Sequence, residues 1–500
     1  MKKNIYTILF GILLFFLFLP MIQENLKLKI RPLNGVTYKT EFPKLELESI
    51  SNGKYQSQLE KYVSENFGFR EIAIRWYNQY VWTFFNKTYN NSIAHGKGNW
   101  FYYWAGVHEY YGKELNKWYN NEEKAIENYE KNIELMCQLR DTLKAYNIEF
   151  MSFMAPDKSF VYPEYLPDDS IKECINVFEY YDKRLNEEGF PNIEMTKWYK
   201  SMRDTMDIQL FPTIDTHWEY SSVYGYDSLF KYMNSLNNFG IPKIKYGYPV
   251  KGKKIKTYDE GLLNLIFDVI NKNHEYHLDV TIVNDDSTRK PRVLFVGDSF
   301  IWALGRHLPW KDLLEDVEIW YYNSTVYKGF DLEKTDKKSI NSLLSILKSD
   351  YVIFYSSGHQ WHRASYDFAE EALSYFGVND DNSREKLNRT LIQIDIEKDT
   401  AWNNKLNYFS ISNGTTLQEA YDIEIDNIIN NNNNNNNILI KDKVVVDNEA
   451  IFNHEVEKLI LKWKNNPEAM QRLKEKAAKK GKPLEEVIIE DAQWVIRQQK

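Results

Sequence analysis

Cysteine is nearly missing from this 500-residue chain, which has only Cys137 and Cys174. Two thiols cannot build a disulfide framework; a single bridge between them stays open, and so small a count does not assign the redox compartment. A basic excess is missing too. The 63 Lys and Arg against 71 Asp and Glu leave a net charge of −8, which excludes the cationic stripe of a nucleic-acid surface. There is no internal repeat, and beyond the first two dozen residues no apolar run is long enough to cross a bilayer. What is present is ordinary hydrophobic content, 43%, which excludes a disordered chain. A chain of this length can bury a large core without a disulfide or metal staple. Aromatic residues are abundant at 15%, with 36 Tyr and 14 Trp.

The chain opens Met1-Lys2-Lys3 and then runs apolar from Ile5 to Ile22. As a helix that run rises about 27 Å, close to the hydrocarbon thickness of a bilayer. No A-x-A-like cleavage pattern follows Phe18-Leu19-Pro20, so the expectation is an uncleaved signal anchor, residues 1–22. Lys2 and Lys3 favour an inside N-terminus, whereas Lys27, Lys29 and Arg31 weaken the asymmetry. Pro32, Gly35, Pro43 and Gly53 punctuate an expected stalk, residues 23–55.

Helical spacing dominates from Tyr55 to Phe85 and from Asn121 to Tyr146. Short apolar runs at Ile148–Met154, Arg292–Val296 and Tyr351–Tyr355 read as strands that alternate with helices. That pattern predicts an α/β fold with a parallel sheet covered on both faces. Residues 56–380 are expected to form this domain. Residues 381–449 follow as a variable region whose Asn430–Asn437 run reads as a flexible loop by composition. Residues 450–500 read as a helical appendage, its two amphipathic patterns broken by Pro467 and by Gly481-Lys482-Pro483.

Two short stretches carry chemistry. Gly297-Asp298-Ser299-Phe300 follows the Arg292–Val296 strand directly, at the strand end where α/β folds place their ligands. Gly297 suits a tight turn and close substrate approach; Asp298 or Ser299 could equally be a helix cap. Asp215-Thr216-His217-Trp218 offers a base and a carboxylate two residues apart. A serine hydroxyl needs a histidine base held in one tautomer by a carboxylate. Asp-x-His alone is also a common surface turn, so only the two stretches together supply nucleophile, base and orienter.

The GDSF stretch resembles the first block of SGNH hydrolases, and Asp215–Trp218 resembles the D-x-H-W signature of the alginate O-acetyltransferase group, the AlgJ/AlgX-like proteins. Asn66–Arg70, Gly96–Phe101, and Ala155–Lys158 followed by Tyr162–Glu164 are similar to further elements of that family. The resemblance covers about residues 60–360 and includes the order in which Asp and His precede Ser. It implies an SGNH hydrolase-like fold with circularly permuted motif order. Ser299 would carry the acetyl group, with His217 as base and then acid and Asp215 orienting it. No cofactor is implied: a multi-span membrane O-acyltransferase supplies acetyl, and a polysaccharide outside the cytoplasm accepts it. The chain would then be a single-pass protein of the cytoplasmic (inner) membrane, its catalytic domain on the periplasmic or extracytoplasmic side.

Other residues stand open to two readings. Asn323 could donate to an oxyanion or simply end a strand. Lys158 could meet an anionic sugar or be solvated. His359 could line the site's rim. Trp218, Trp302, Trp320 and Trp361 could face sugar rings or pack. His274/His277 and His359/His362 have H-x-x-H spacing, yet no further ligand completes either pair, so no metal is expected. An acetylesterase of the same site chemistry and a non-catalytic glycan-binding envelope protein remain as alternatives.

Overall fold

The apolar runs at Arg292 and Tyr351 become the two central strands of a seven-stranded sheet. The computed structural model describes residues 2–498 except 27, 36–39, 89, 91, 114–118, 120, 168–175, 238, 255–256, 268–273, 285–288, 378–380, 435–455, 457–458 and 465. The sheet's strands are β1 (Glu149–Ala155), β2 (Asn192–Glu194), β3 (Arg292–Gly297), β4 (Asp316–Tyr321), β5 (Thr325–Lys328), β6 (Glu333–Asp336) and β7 (Tyr351–Ser357). They lie in the order β6-β5-β4-β3-β7-β1-β2. The five strands from β4 to β2 run parallel, whereas β5 and β6 are antiparallel additions at one edge. The sheet is therefore mixed at its rim. The edge strand β6 carries Glu333, Lys334 and Asp336, charges that discourage pairing with another chain. Every residue of β7 is buried, as are all but the first of β1 and of β3. Burial on both faces explains why these strands read as unbroken apolar runs rather than alternating ones.

The chain folds as two compact units: residues 1–137, 149–340 and 349–368, and residues 138–148, 341–348 and 369–500. The first holds the whole sheet. Its helix Lys2–Leu26 contains an apolar stretch, Ile5–Gln23, of mean hydropathy 2.6 and with nothing buried. By length and composition this helix can cross a membrane. Within the stretch expected as a stalk, Asn34 is pinned to the body. Its backbone N–H donates to Asn264 Oδ1 at 2.8 Å and its side-chain amide donates to Gly261 O at 3.0 Å.

The second unit contains the helices Asp381–Lys398, Thr400–Asn413 and Leu417–Asn434, which share a core of Ile392, Ile396, Leu406, Tyr421 and Ile425. Asn430–Asn434 are thus helical rather than loop; Asn435–Asn437 lie outside the described residues. Asparagine is a weak helix former, but the packed apolar face of the preceding turns outweighs its propensity. Pro467 separates helical residues 459–464 from the helix Pro467–Lys480, which it begins and where its missing N–H has no intrahelical acceptor to lose. His274–His277 form a strand, so residues three apart leave on opposite faces and cannot share a metal. Cys137 is buried, and Cys174 lies outside the described residues.

Register decides the identity of residue 297. Gly297 pairs with both Tyr321 and Tyr355, and a Cβ there would stand 1.7 Å from the Tyr355 carbonyl oxygen. The glycine is required by the approach of β7, not by a left-handed turn. Gly297→Ala should therefore push β3 and β7 apart and lower unfolding stability by about 2–3 kcal/mol. Chemical denaturation of the purified chain measures this; an unchanged midpoint would contradict it.

Candidate functional site

Three parallel strands deliver the site's side chains from their C-terminal ends. Past β3, Asp298 caps the short 3₁₀ turn Ser299–Ile301 by accepting from Phe300 N–H at 3.0 Å. Its other carboxylate oxygen accepts from the backbone N–H and the hydroxyl of Ser357, both at 2.7 Å. One buried aspartate thus clamps the Ser299 turn to the end of β7. Past β1, Asp157 caps Lys158–Val161 through Ser159 N–H, and its second oxygen accepts from His359 Nδ1 at 3.1 Å. The two aspartates perform the same task on different strands.

Residues 211–219 contain no helix or strand, so something other than a backbone ladder must hold their carbonyls. Lys158 does so. Only 3% exposed, its ammonium donates to the carbonyl oxygens of Phe101 (2.8 Å), Pro212 (2.6 Å), Thr213 (2.9 Å) and Asp215 (2.7 Å). Neither sugar contact nor solvation describes this lysine; it is an internal fastener. Trp218 is likewise no sugar platform. It is fully buried, and its indole N–H donates to Phe300 O at 3.1 Å, tying the His217 segment to the Ser299 turn.

The outcome is a continuous chain of hydrogen bonds. His217 Nδ1–H donates to Asp215 Oδ1 at 3.1 Å, and the same oxygen accepts from His217's backbone N–H at 2.9 Å. With Nδ1 carrying the proton, Nε2 is the acceptor, and Ser299 Oγ–H donates to it at 2.8 Å. The structure therefore brings Asp215, His217 and Ser299 together across 82 residues of sequence. This is an arrangement that can strip a hydroxyl proton and return it.

A further carboxylate stands beside them. Asp259 is buried and accepts from Thr216 N–H at 2.7 Å. Burial first, then the Asp215 charge, pushes its pKa up to about 6. Burial also opposes ionisation of Asp215, but the hydrogen bonds and charge of His217, with Lys158 behind them, outweigh it and hold the carboxyl below the usual range. Burial alone would depress His217; the Asp215 carboxylate, supported by Asp259 and Asp298, overrides it and lifts the imidazole to about 9. Lys158 is drawn down to about 7 by burial, against the pull of Asp215 and Asp259, while its four carbonyl acceptors favour the charged form. Asp215, His217 and Asp259 each present a ligand atom within 4.8 Å of the others. Their oxygens already accept protein hydrogen bonds, and the adjacent ammonium supplies positive charge, so the donor set suits a proton relay better than a divalent cation.

The remaining candidates fall elsewhere. Asn323 directs its amide to Tyr366 O at 3.1 Å and accepts from the Lys337 ammonium, so its amide donor serves the fold rather than an oxyanion at Ser299. Trp320 and Trp361 are fully buried; of the four tryptophans, only Trp302 is partly exposed and lines a cavity with Ser299. His359 does line a cavity with Ser299, whereas His362 turns to Glu109 and Tyr129. Two cavities of about 760 and 600 Å³ border the site. Glu275, Trp302 and Arg306 wall the first; Asn78, Tyr103 and His359 wall the second. Ser299 and His217 line both.

A largely parallel α/β sheet with Asp, His and Ser converging at its C-terminal edge has the SGNH hydrolase-like fold. Residues 93–225, which include Asp215 and His217, match the family model of the SGNH hydrolase-like domain of acetyltransferase AlgX. No curated relative matches the sequence. Among solved structures, the chain is similar to the O-acetyltransferase domain of Pseudomonas putida AlgJ, at 14% identity over 54% of this chain and 92% of that one, with a TM-score of 0.35. It is also similar to Pseudomonas aeruginosa AlgX (11% identity, 56% and 67% covered, TM-score 0.35) and to Bacillus cereus PatB1 (13%, 48% and 93%, 0.31).

Replacing Lys158 by Met removes the ammonium from the Phe101, Pro212 and Asp215 carbonyls, while Thr213 O keeps the Phe101 N–H at 2.7 Å. The expected loss is about 3 kcal/mol or more of stability. Lys158→Arg should fail to restore it, because a planar fork cannot meet four converging oxygens. Thermal unfolding of both variants tests this; a wild-type midpoint in either would refute the fastening role.

Proposed function

We propose that this protein is an extracytoplasmic O-acetyltransferase that modifies hydroxyls of a polysaccharide through an acetyl–Ser299 intermediate. The observation that carries the reading is the aligned relay from Asp215 through His217 to Ser299 Oγ, with its 2.8 Å final link. The match of residues 93–225 to the AlgX acetyltransferase domain supports the reaction class. Two cavities that meet at one serine suit a reaction with a donor and an acceptor. The apolar helix Ile5–Gln23 would anchor the chain in the cytoplasmic membrane. A multi-span O-acyltransferase in that membrane would hand over the acetyl group.

In the proposed mechanism His217 Nε2 takes the Ser299 proton as Oγ forms a bond to the acetyl carbonyl carbon. The carbonyl π electrons move to oxygen; on their return the bond to the leaving oxygen breaks, and His217 gives that oxygen the proton. A sugar hydroxyl then repeats the sequence on acetyl–Ser299, losing its proton to His217, and Ser299 recovers a proton as it leaves. Asp215 stays ionised throughout and stabilises the imidazolium.

Incubating the full chain in detergent with an activated acetyl ester should add one acetyl mass on Ser299, absent in Ser299→Ala. Labelling elsewhere, or equal labelling of the variant, would refute the intermediate. Asp215→Asn should cut turnover roughly 10³–10⁴-fold. Only neutral His217 can accept the proton, so kcat/KM should rise with pH through an apparent pKa above the ordinary histidine value of 6.5, toward 9. In Asp215→Asn the residual activity should show that limb moved down toward 6.5, because the charge that raises it is gone. A limb unmoved by the substitution would argue against His217 as base.

A further inference from the structure

The helix Arg70–Phe85 is apolar on its exposed face as well as on the face it packs against the protein. Its exposed residues include Ile72, Trp76, Tyr77, Tyr80 and Phe84, between 37% and 71% accessible. They recur at helical spacing and form one continuous ridge, with Tyr80 and Phe84 in ring contact at 5.1 Å. The opposite face carries Ile74 and Asn78, which line the smaller Ser299 cavity; Asn78 donates to Leu263 O at 3.0 Å. A helix on a water-exposed surface turns its apolar stripe inward. This one packs Ile74, Val81 and Trp82 inward and still turns a second row of large aromatic side chains outward.

What lies next to the ridge's start names its surroundings. The turn before the helix packs on the end of the apolar helix: a Cβ on Gly68 would stand 2.3 Å from Pro20 O, and Phe69 N–H donates to Gln23 Oε1 at 2.8 Å. One turn later the Arg75 guanidinium donates to Arg31 O and Pro32 O at 2.9 and 2.7 Å. The helix therefore begins at the level where the stretch Ile5–Gln23 ends. If that stretch spans a bilayer, this level is the headgroup region, where Trp and Tyr place an apolar ring body and a polar edge.

We infer that Arg70–Phe85 lies in the membrane–water interface, its Ile72–Phe84 ridge seated among lipid headgroups and upper acyl chains. The inference rests on the reading of Ile5–Gln23 as a membrane span and adds to it. The unit that carries Ser299 is seated on the bilayer at two places rather than held by a loose tether. The inward face of the same helix walls a cavity open to Ser299, so that cavity lies close to the surface from which a membrane-borne acetyl donor arrives.

The test uses the full chain in phosphatidylcholine vesicles, with Cys137→Ala and Cys174→Ala and one fluorophore on either Tyr80→Cys or Phe10→Cys. Lipids carry a spin-label quencher near the headgroup or near the chain end. The Phe10 probe should lose emission chiefly to the deep quencher, and the Tyr80 probe chiefly to the shallow one. Quenching at Phe10 without quenching at Tyr80 overturns the inference and leaves the span intact, with the ridge then assigned to a protein partner or a second copy. No quenching at Phe10 removes the span itself. Should the cysteine-free background not fold, brominated phosphatidylcholine read on the native chain gives the same answer. The lipid-quenched part of tryptophan emission should shrink in Trp76→Phe, and an unchanged quenched fraction overturns the inference.

Discussion

One buried ammonium organises the site. The segment that carries Asp215 and His217 has no helix or strand of its own, so its carbonyls need donors from elsewhere in the protein. Lys158 gathers three of them, with a fourth from Phe101, onto a single cation at the end of β1. Because β1 pairs with β7 and β7 with β3, fastening the segment to β1 also fixes its distance from Ser299 at the end of β3. The same charge lies beside Asp215 and Asp259, so the cluster of two carboxylates, an imidazole and an ammonium is close to electrically balanced. A long flexible side chain becomes a fixed strut because its end is fully engaged.

Around that strut, polar positioning and aromatic packing divide the labour. Asp157 and Asp298 cap short turns with one oxygen and reach across to a neighbouring segment with the other. Trp218, Tyr226 and Tyr355 fill the space beneath, and both Trp218 and Tyr226 donate to the Phe300 carbonyl. The Ser299 turn is therefore held from above by a carboxylate and from below by aromatic donors. Much of the high aromatic content serves this scaffold. The exposed aromatic ridge of Arg70–Phe85 is a separate use, outside this scaffold.

Parts of this are legible in the sequence alone. Asp215 and His217 lie two residues apart, and the Ser299 turn follows its strand directly, so each half of the relay is local and leaves a local trace. The strands were legible because burial on both faces removes polar residues from them. Lys158, Asp259 and the clamping role of Asp298 left no such trace. Their partners lie 57, 43 and 59 residues away, and nothing in a lone Lys or Asp distinguishes a buried strut from a solvated charge. Asn323 and Trp218 stayed open between two readings for the related reason that a strand-end amide and a tryptophan serve packing and substrate equally well until their neighbours are known.

By itself, then, the sequence determined which chemistry was available: an aspartate and a histidine two residues apart, a serine directly after a strand, and one helix apolar enough for a membrane. These follow from side-chain type and short-range periodicity, which a chain carries without folding. Only the tertiary structure decided that the three groups share one line of hydrogen bonds, that a lysine holds the line in place, and that a helix faces its aromatics outward. Those outcomes depend on which distant segments are packed together, and therefore on burial, which turns a charge into a fastener and an exposed ring into a site of contact.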